Sequence, residues 1–92
     1  MEFIYEEDRI YSTNEIGSVI AEITFPEVSE DVLELKSTFV NRLLRGQGIA
    51  SDLMKEVVEF AKRKNKKIKP VCSYAVKWFE KHDEYKDVLY TD

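Results

Sequence analysis

Residues 41–67 read "NRLLRGQGIASDLMKEVVEFAKRKNKK", and this stretch decides the fold. It opens on two of the chain's three glycines, Gly46 and Gly48, and then runs as one amphipathic pattern. From Ile49 the apolar positions Ile49, Leu53, Val57, Phe60 and Ala61 recur at helical spacing, and Ala50, Met54 and Val58 widen the stripe. Asp52, Lys55, Glu56, Glu59, Lys62 and Arg63 fill the other face. The basic run from Lys62 to Lys67 suits the negative end of a helix dipole, and Asn65 is the expected stop. The spacing therefore predicts a helix starting directly after the glycine turn, with Ile49, Leu53, Val57 and Phe60 buried.

Upstream, the chain reads as strands. "FIY" (Phe3–Tyr5) and "RIYS" (Arg9–Ser12) are rich in β-formers and are separated by the acidic turn "EED". "TNEIG" (Thr13–Gly17) is a second turn, "SVIAEITF" (Ser18–Phe25) a longer strand, and "PEVSED" (Pro26–Asp31) a break. "VLELKSTFV" (Val32–Val40) alternates with a period near two, with some slippage, and is expected as one strand. Short connections favour an antiparallel meander. Downstream, "KIKPV" (Lys67–Val71) reads as a strand ending near Cys72. Ser73 is the expected cap of a second helix, "YAVKWFEKHDEY", with Val76, Phe79 and Trp78 on its buried side. The order strand, helix, strand across Val32–Val71 is a crossover, so its two strands should lie parallel.

Bulk properties narrow the function. Ninety-two residues at 43% hydrophobic and 35% charged fit one soluble domain spanning 1–92. No apolar run is long enough to cross a bilayer, and the acidic, charge-broken N-terminus is not a signal peptide. A lone cysteine, Cys72, allows no internal disulfide and fits a reducing, cytoplasmic setting. A net charge of −4 argues against broad nucleic-acid binding, and the Lys62–Lys67 run reads as a solvated helix end.

The glycine turn has a chemistry of its own. A helix N-terminus presents unpaired N–H groups and a partial positive charge, so it accepts anions. Gly46 and Gly48 keep side chains away from that backbone, and Arg45 adds a charged donor from the side. The other reading is a tight turn that needs glycine for its geometry alone. Neither the Gly-x-x-x-x-Gly-Lys-Ser/Thr loop nor Gly-x-Gly-x-x-Gly is present, since position 51 is Ser.

"LRGQGIASDLM" resembles the acyl-CoA-binding motif of the GNAT superfamily of N-acetyltransferases. The motif, Arg/Gln-x-x-Gly-x-Gly/Ala, is met by Arg45, Gly48 and Ala50. "CSYAVKWFEKHDEY" is similar to the ending of a small GNAT-like subfamily of roughly a hundred residues, and "ITFPE" and "ELKSTFV" resemble its strands. The resemblance implies an α+β fold: an antiparallel meander of about four strands, a central helix, a parallel strand and a C-terminal helix. It implies that Arg45, Gly46, Gln47, Gly48, Ile49 and Ala50 cradle the pyrophosphate of acetyl-CoA. The preceding strand would run beside the pantetheine arm and splay from its parallel neighbour, with a main-chain oxyanion donor near Phe39 and Val40. Two positions depart from the subfamily: Ser37-Thr38 stand where His-Thr is frequent, and Asp83 stands where proline does. The chain is also shorter than the usual GNAT domain, so the elements that commonly build the acceptor pocket are expected to be missing.

The function so implied is acetyl transfer from acetyl-CoA to an unidentified amine, with no metal. A non-catalytic CoA-binding or sensing module and a protein-interaction domain are the alternatives. Cys72 is a candidate catalytic group, because it ends the parallel strand just before a helix N-terminus, which lowers a thiol's pKa. As a lone cysteine it can equally be a small buried hydrophobe. His82, the only histidine, is the one side chain with an ordinary pKa near neutrality, and it also suits a helix C-terminus. Tyr74 and Tyr85 can act as acids toward a leaving thiolate or serve as core and rim residues.

Overall fold

In the computed structural model, which describes residues 1–91, the first forty residues form β1 (Ile4–Tyr5), β2 (Arg9–Thr13), β3 (Val19–Thr24), β4 (Glu27–Ser29), β5 (Val32–Leu35) and β6 (Ser37–Val40). Alternation sets the long strands. In β2 and β3 the register pairs Ile10 with Ile23 and Ser12 with Ala21, and all four are buried. Their neighbours Arg9, Tyr11, Glu22 and Thr24 point to the opposite face. β1, β2, β3 and β6 make a four-stranded antiparallel sheet in that order.

The single strand expected over Val32–Val40 is in fact two strands with different partners. β5 pairs in parallel with β7 (Lys67–Pro70), from Val32 opposite Lys67 to Leu35 opposite Pro70. β6 instead pairs antiparallel with β3. The slip in periodicity is the cause. Lys36 and Ser37 are consecutive exposed residues; Ser37 pairs with Thr24, and the Lys36 N–H also donates to the Thr24 carbonyl at 3.0 Å. Two residues thus oppose one, a β-bulge that bends the strand away from its first partner. The expected break at Pro26–Asp31 also contains a strand. β4 forms a hairpin with β5 through Asp31, which adopts a positive φ of 61°.

The central helix α1 spans Ile49–Lys64 and buries Ile49, Leu53, Met54, Val57, Val58 and Ala61. Met54 and Val58 belong to the core itself rather than to its margin. Phe60, expected in the buried stripe, is only partly buried and lies at the rim, its ring 5.3 Å from the fully buried Phe25. Asn65 ends the helix as expected, in a left-handed conformation that lets its N–H and that of Lys66 reach the last carbonyls.

After β7, helix α2 runs Ser73–Lys81. Cys72, not Ser73, is its cap, with an extended backbone and a carbonyl that accepts from Val76 N–H at 3.1 Å. Its buried stripe is Ala75, Trp78 and Phe79, whereas Val76, expected inside, is exposed one position round the helix. A turn of 3-10 helix (Asp83–Val88) then brings Leu89 beside Ile68, and the Tyr90 N–H donates to the Ile68 carbonyl at 2.8 Å, covering the free edge of β7. Both helices join one core on one face of the sheets, linked by a 2.9 Å hydrogen bond from Trp78 Nε1 to Ser51 Oγ. Among the described residues no helix covers the other face, and none is long and apolar enough to cross a membrane.

Candidate functional site

Beyond Val40 the Asn41 side chain accepts the Leu43 N–H at 2.9 Å and starts one turn of 3-10 helix, Arg42–Leu44. Two glycines then reverse the chain into α1. Gly46 has φ 85° and Gly48 φ 79°, a region that costs an L-residue about 1–2 kcal/mol. A Cβ at either would meet nothing within 4 Å, so backbone conformation rather than crowding demands glycine, and the space in front stays open. Gly48 caps α1 without a side-chain bond. Asp52 is the first residue whose N–H finds a helical acceptor, the Gly48 carbonyl at 3.0 Å. The N–H groups of Ile49, Ala50 and Ser51 have no backbone partner among the described residues, and these three residues line a cavity of about 200 Å³ with Val40, Gly46, Gly48 and Tyr74. Arg45 folds against this turn, its Nε donating to the Val40 carbonyl at 3.3 Å, while the Gln47 side chain is exposed at the rim.

The strand leading into the turn borders a gap. Val71 and Cys72 both donate to the Leu35 carbonyl, at 3.1 and 3.3 Å, and these are the last backbone–backbone bonds between the two parallel segments among the described residues. Past them β6 follows β3 and the other segment turns into α2. Alternation in the antiparallel ladder says which backbone groups face the gap. Asn41 N–H bonds to the Ile20 carbonyl at 2.8 Å, so Phe39 and Ser37 also bond toward β3, leaving the N–H and C=O of Thr38 and Val40 on the open edge. Of the two residues expected to supply a main-chain donor, Val40 has its N–H on the open edge. Phe39 does not: its N–H is turned to β3 and its ring is 46% exposed on the helix-free face.

Cys72 is partly buried at the head of α2, with its sulfur 3.5 Å from Thr38 Oγ1 across the gap. Tyr74 stands in the first turn of the same helix. Burial pushes the Tyr74 phenol above its ordinary pKa, and negative charge on Cys72 adds to the effect, so this group keeps its proton at neutral pH. Thr38 and Ser51, whose hydroxyls the sequence reading passed over, are thus part of the site. A hydroxyl carries no periodic signal of its own; only the position of Ser51 directly behind the glycine turn points to it.

His82 lies elsewhere. It closes α2, with Nδ1 2.7 Å from the Trp78 carbonyl and its ring stacked on Trp78 at 4.1 Å. Tyr85 stacks on Trp78 at 5.3 Å and is a packing residue. The Arg45–Ala50 turn, Val40, Cys72 and Tyr74 therefore come together, and His82 sits at the other end of α2. The basic run begins only at Lys62 in the last turn of α1, roughly 21 Å from the glycine turn at about 1.5 Å per residue. Among the described residues no group of three acidic, histidine or cysteine side chains is arranged to hold a metal ion.

A family model described as GCN5-related N-acetyl-transferase matches residues 9–88. The structure is similar to that of a GCN5-like candidate N-acetyltransferase from Staphylococcus aureus, at 35% identity and a TM-score of 0.83, over 99% of this chain and 89% of that one. An acetyltransferase from Bacillus cereus matches at 25% identity and a TM-score of 0.67, over 84% of this chain and 56% of that one. A Mycobacterium tuberculosis protein solved in complex with CoA and NLQ shares the fold at 14% identity and a TM-score of 0.67, over 84% of this chain and 48% of its own length. The chain thus spans about half the length of these last two proteins. No protein of curated function matches it.

Proposed function

The chain belongs to the GCN5-related N-acetyltransferase family, and on that premise we propose that it binds acetyl-CoA and transfers the acetyl group to an amine. The observation that carries the reading is the gap itself. A strand edge at Thr38 and Val40 that joins no further strand, its Val40 carbonyl accepting only from Arg45 Nε among the described residues, runs directly into a turn whose first three helical amides have no backbone partner there, and a thiol stands on the far wall.

Each part has a physical role. The amides of Ile49, Ala50 and Ser51, the α1 dipole and the Arg45 guanidinium hold the pyrophosphate. The Thr38 and Val40 edge pairs with the amides of the pantetheine arm as a strand would. The Val40 N–H donates to the thioester oxygen as charge develops there, a contribution worth about 3–4 kcal/mol for one well-placed donor. The amine nitrogen bonds to the acetyl carbon, the carbon–sulfur bond breaks, and CoA leaves as its thiolate. Tyr74, kept protonated, supplies the proton to that sulfur. The amine proton departs through water at the open mouth of the gap. Cys72 lies beside the acyl group.

A second reading, a CoA-binding module without turnover, is favoured by the helix-free face: among the described residues no helix covers the mouth where an amine would enter. Titration of isotope-labelled protein with acetyl-CoA, followed by free-thiol release with a panel of amines, separates the readings. Amide shifts centred on Gly46, Gly48, Ile49 and Ala50 are expected, with turnover on at least one amine. Binding without turnover on any amine favours the module, and shifts confined to β1 and β2 refute the site.

A further inference from the structure

The segments that bound the gap also present side chains on the helix-free face, and alternation says which. Leu33 and Ile68 pair across the parallel ladder and are buried under the helices, so Glu34 and its partner Lys69 face the other way. Leu35 is buried as well, and Lys36 after it is exposed, as is Val71 on the facing segment. Past the bulge, Ser37 and Phe39 share this face with their partners Thr24 and Glu22. Lys36, Lys69, Phe39 and Val71 thus surround the helix-free mouth of the gap, with the two lysines at its closed end.

The charge there has one sign. Among the described residues neither Lys36 nor Lys69 is in an ion pair or a side-chain hydrogen bond. Three carboxylates lie in the neighbourhood. Glu34 stands opposite Lys69 in the ladder without pairing to it. Glu22 is held by Arg9 Nη1 at 2.6 Å. Asp8 precedes Arg9, two strands from Ser37, about 10 Å at about 4.8 Å per strand. Two free ammonium groups therefore face one free carboxylate at the closed end, a local positive excess in a chain of net charge −4. Beside them Thr24 Oγ1 and Ser37 Oγ lie 2.6 Å apart, a bond that uses one hydroxyl proton and leaves the other to donate. Lys36 and these two hydroxyl residues line one cavity of about 490 Å³. A cationic acceptor would meet ammonium groups here, whereas an anionic one meets donors. Lys36 is two residues before Thr38, about 7 Å along the chain at about 3.3 Å per residue, so an amine in the gap and an anion at Lys36 fit the two ends of one small molecule.

We infer that the acceptor is a small primary amine that carries an anionic group, a carboxylate or a phosphate, held by Lys36, Lys69 and the Thr24–Ser37 hydroxyl pair, with its apolar body against Phe39 and Val71. The inference rests on the acetyl-transfer reading and names the class of its acceptor. Free-thiol release from acetyl-CoA tests it on amines matched with and without an anion: 5-aminopentanoate against pentylamine, and phosphoethanolamine against ethanolamine. In at least one pair the anionic member should have a kcat/KM about tenfold higher, the scale of charge-assisted contacts to one anion, and the pair with the larger ratio identifies that anion. The ratio should shrink as salt is raised. Lys36→Ala/Lys69→Ala should bring it to about one, and the control Lys62→Ala/Lys64→Ala should keep it. Lys36→Glu/Lys69→Glu should invert it, an outcome that loss of folding cannot produce. Equal rates within both pairs, turnover confined to amines without an anion, or a preference that survives Lys36→Ala/Lys69→Ala each overturn the inference and leave acetyl transfer standing. CoA binding with no turnover on any amine overturns both.

Discussion

Alanine at Gly48 separates a turn that merely needs glycine from one that also receives a phosphate, and Gly17 supplies the matched control. Gly48 has φ 79° and Gly17 φ 88°, and an added Cβ at either position meets nothing within 4 Å. Each substitution therefore carries the same backbone strain and no clash. Forcing an L-residue into this region costs about 1–2 kcal/mol, and the stiffer unfolded chain offsets about 0.4–1 kcal/mol of that. A net loss near 1 kcal/mol lowers Tm by about 4–8 °C in a domain of this size and leaves it folded. The two variants should melt alike, followed by circular dichroism. Their affinities for acetyl-CoA should differ. The Gly17 methyl lies in the β2–β3 turn, whereas the Gly48 methyl enters the open space before the amides of Ile49, Ala50 and Ser51. Gly48→Ala should weaken binding at least about tenfold, the loss of one or more charge-assisted contacts, and Gly17→Ala should leave it unchanged. If both variants melt lower by similar amounts and both bind as the native protein does, Gly48 serves turn geometry alone and the phosphate site lies elsewhere.

Four further substitutions test the packing, an exposed hydrogen bond and the gap. Phe60→Ala should cost about 2–3 kcal/mol, below the roughly 3–5 expected of a fully buried ring, while Leu53→Ala, at 0% exposure, should cost as much or more; a larger loss at Phe60 in equilibrium denaturation would return it to the core. The Tyr5 phenol donates to Glu56 at 2.6 Å, and that bond, with slight burial, raises its pKa. Because the protonated form makes the bond, the stabilisation is complete below the ordinary tyrosine pKa of about 10 and vanishes as pH rises through the higher folded value. Tyr5→Phe should thus lose about 0.5 kcal/mol at pH 8, as befits an exposed bond, and nothing once the folded phenol ionises; a difference that grows with pH would contradict this. Saturating CoA should slow alkylation of Cys72 by iodoacetamide, and Cys72→Ala should lower turnover while retaining CoA binding. A thiol that reacts only after denaturant is added, with or without CoA, belongs to the core.

What the sequence made legible is what short-range physics encodes. The glycine turn, α1 with its stop at Asn65, and the crossover into β7 each follow from periodicity and from backbone preferences within a few residues. The motif on Arg45, Gly48 and Ala50 was readable because what it encodes, a left-handed turn followed by amides without backbone partners among the described residues, is itself local. The slip at Lys36 and Ser37 was visible too, but its meaning was not. A bulge sends the halves of one strand to different partners only when both partners exist, one upstream in β3, across the Pro26–Asp31 hairpin, and the other past the whole of α1.

The same holds for each misplaced residue. A wide apolar stripe does not say how a helix is rotated on its sheet, so Met54 and Val58 went inside and Phe60 to the rim, where the sheet ends at Phe25. In α2 the contacts with α1 chose Ala75 and Trp78 over Val76. His82 could be named from composition, but only the stack on Trp78 and the bond to its carbonyl set it in the α1–α2 cleft, away from the Cys72 thiol. Sequence fixes which face of an element is apolar and where the element ends, because those depend on neighbours along the chain. Which edge splays open and which hydroxyl and thiol meet across the gap depend on contacts between segments 20 to 50 residues apart, roughly speaking, and those contacts are made only when the chain closes on itself.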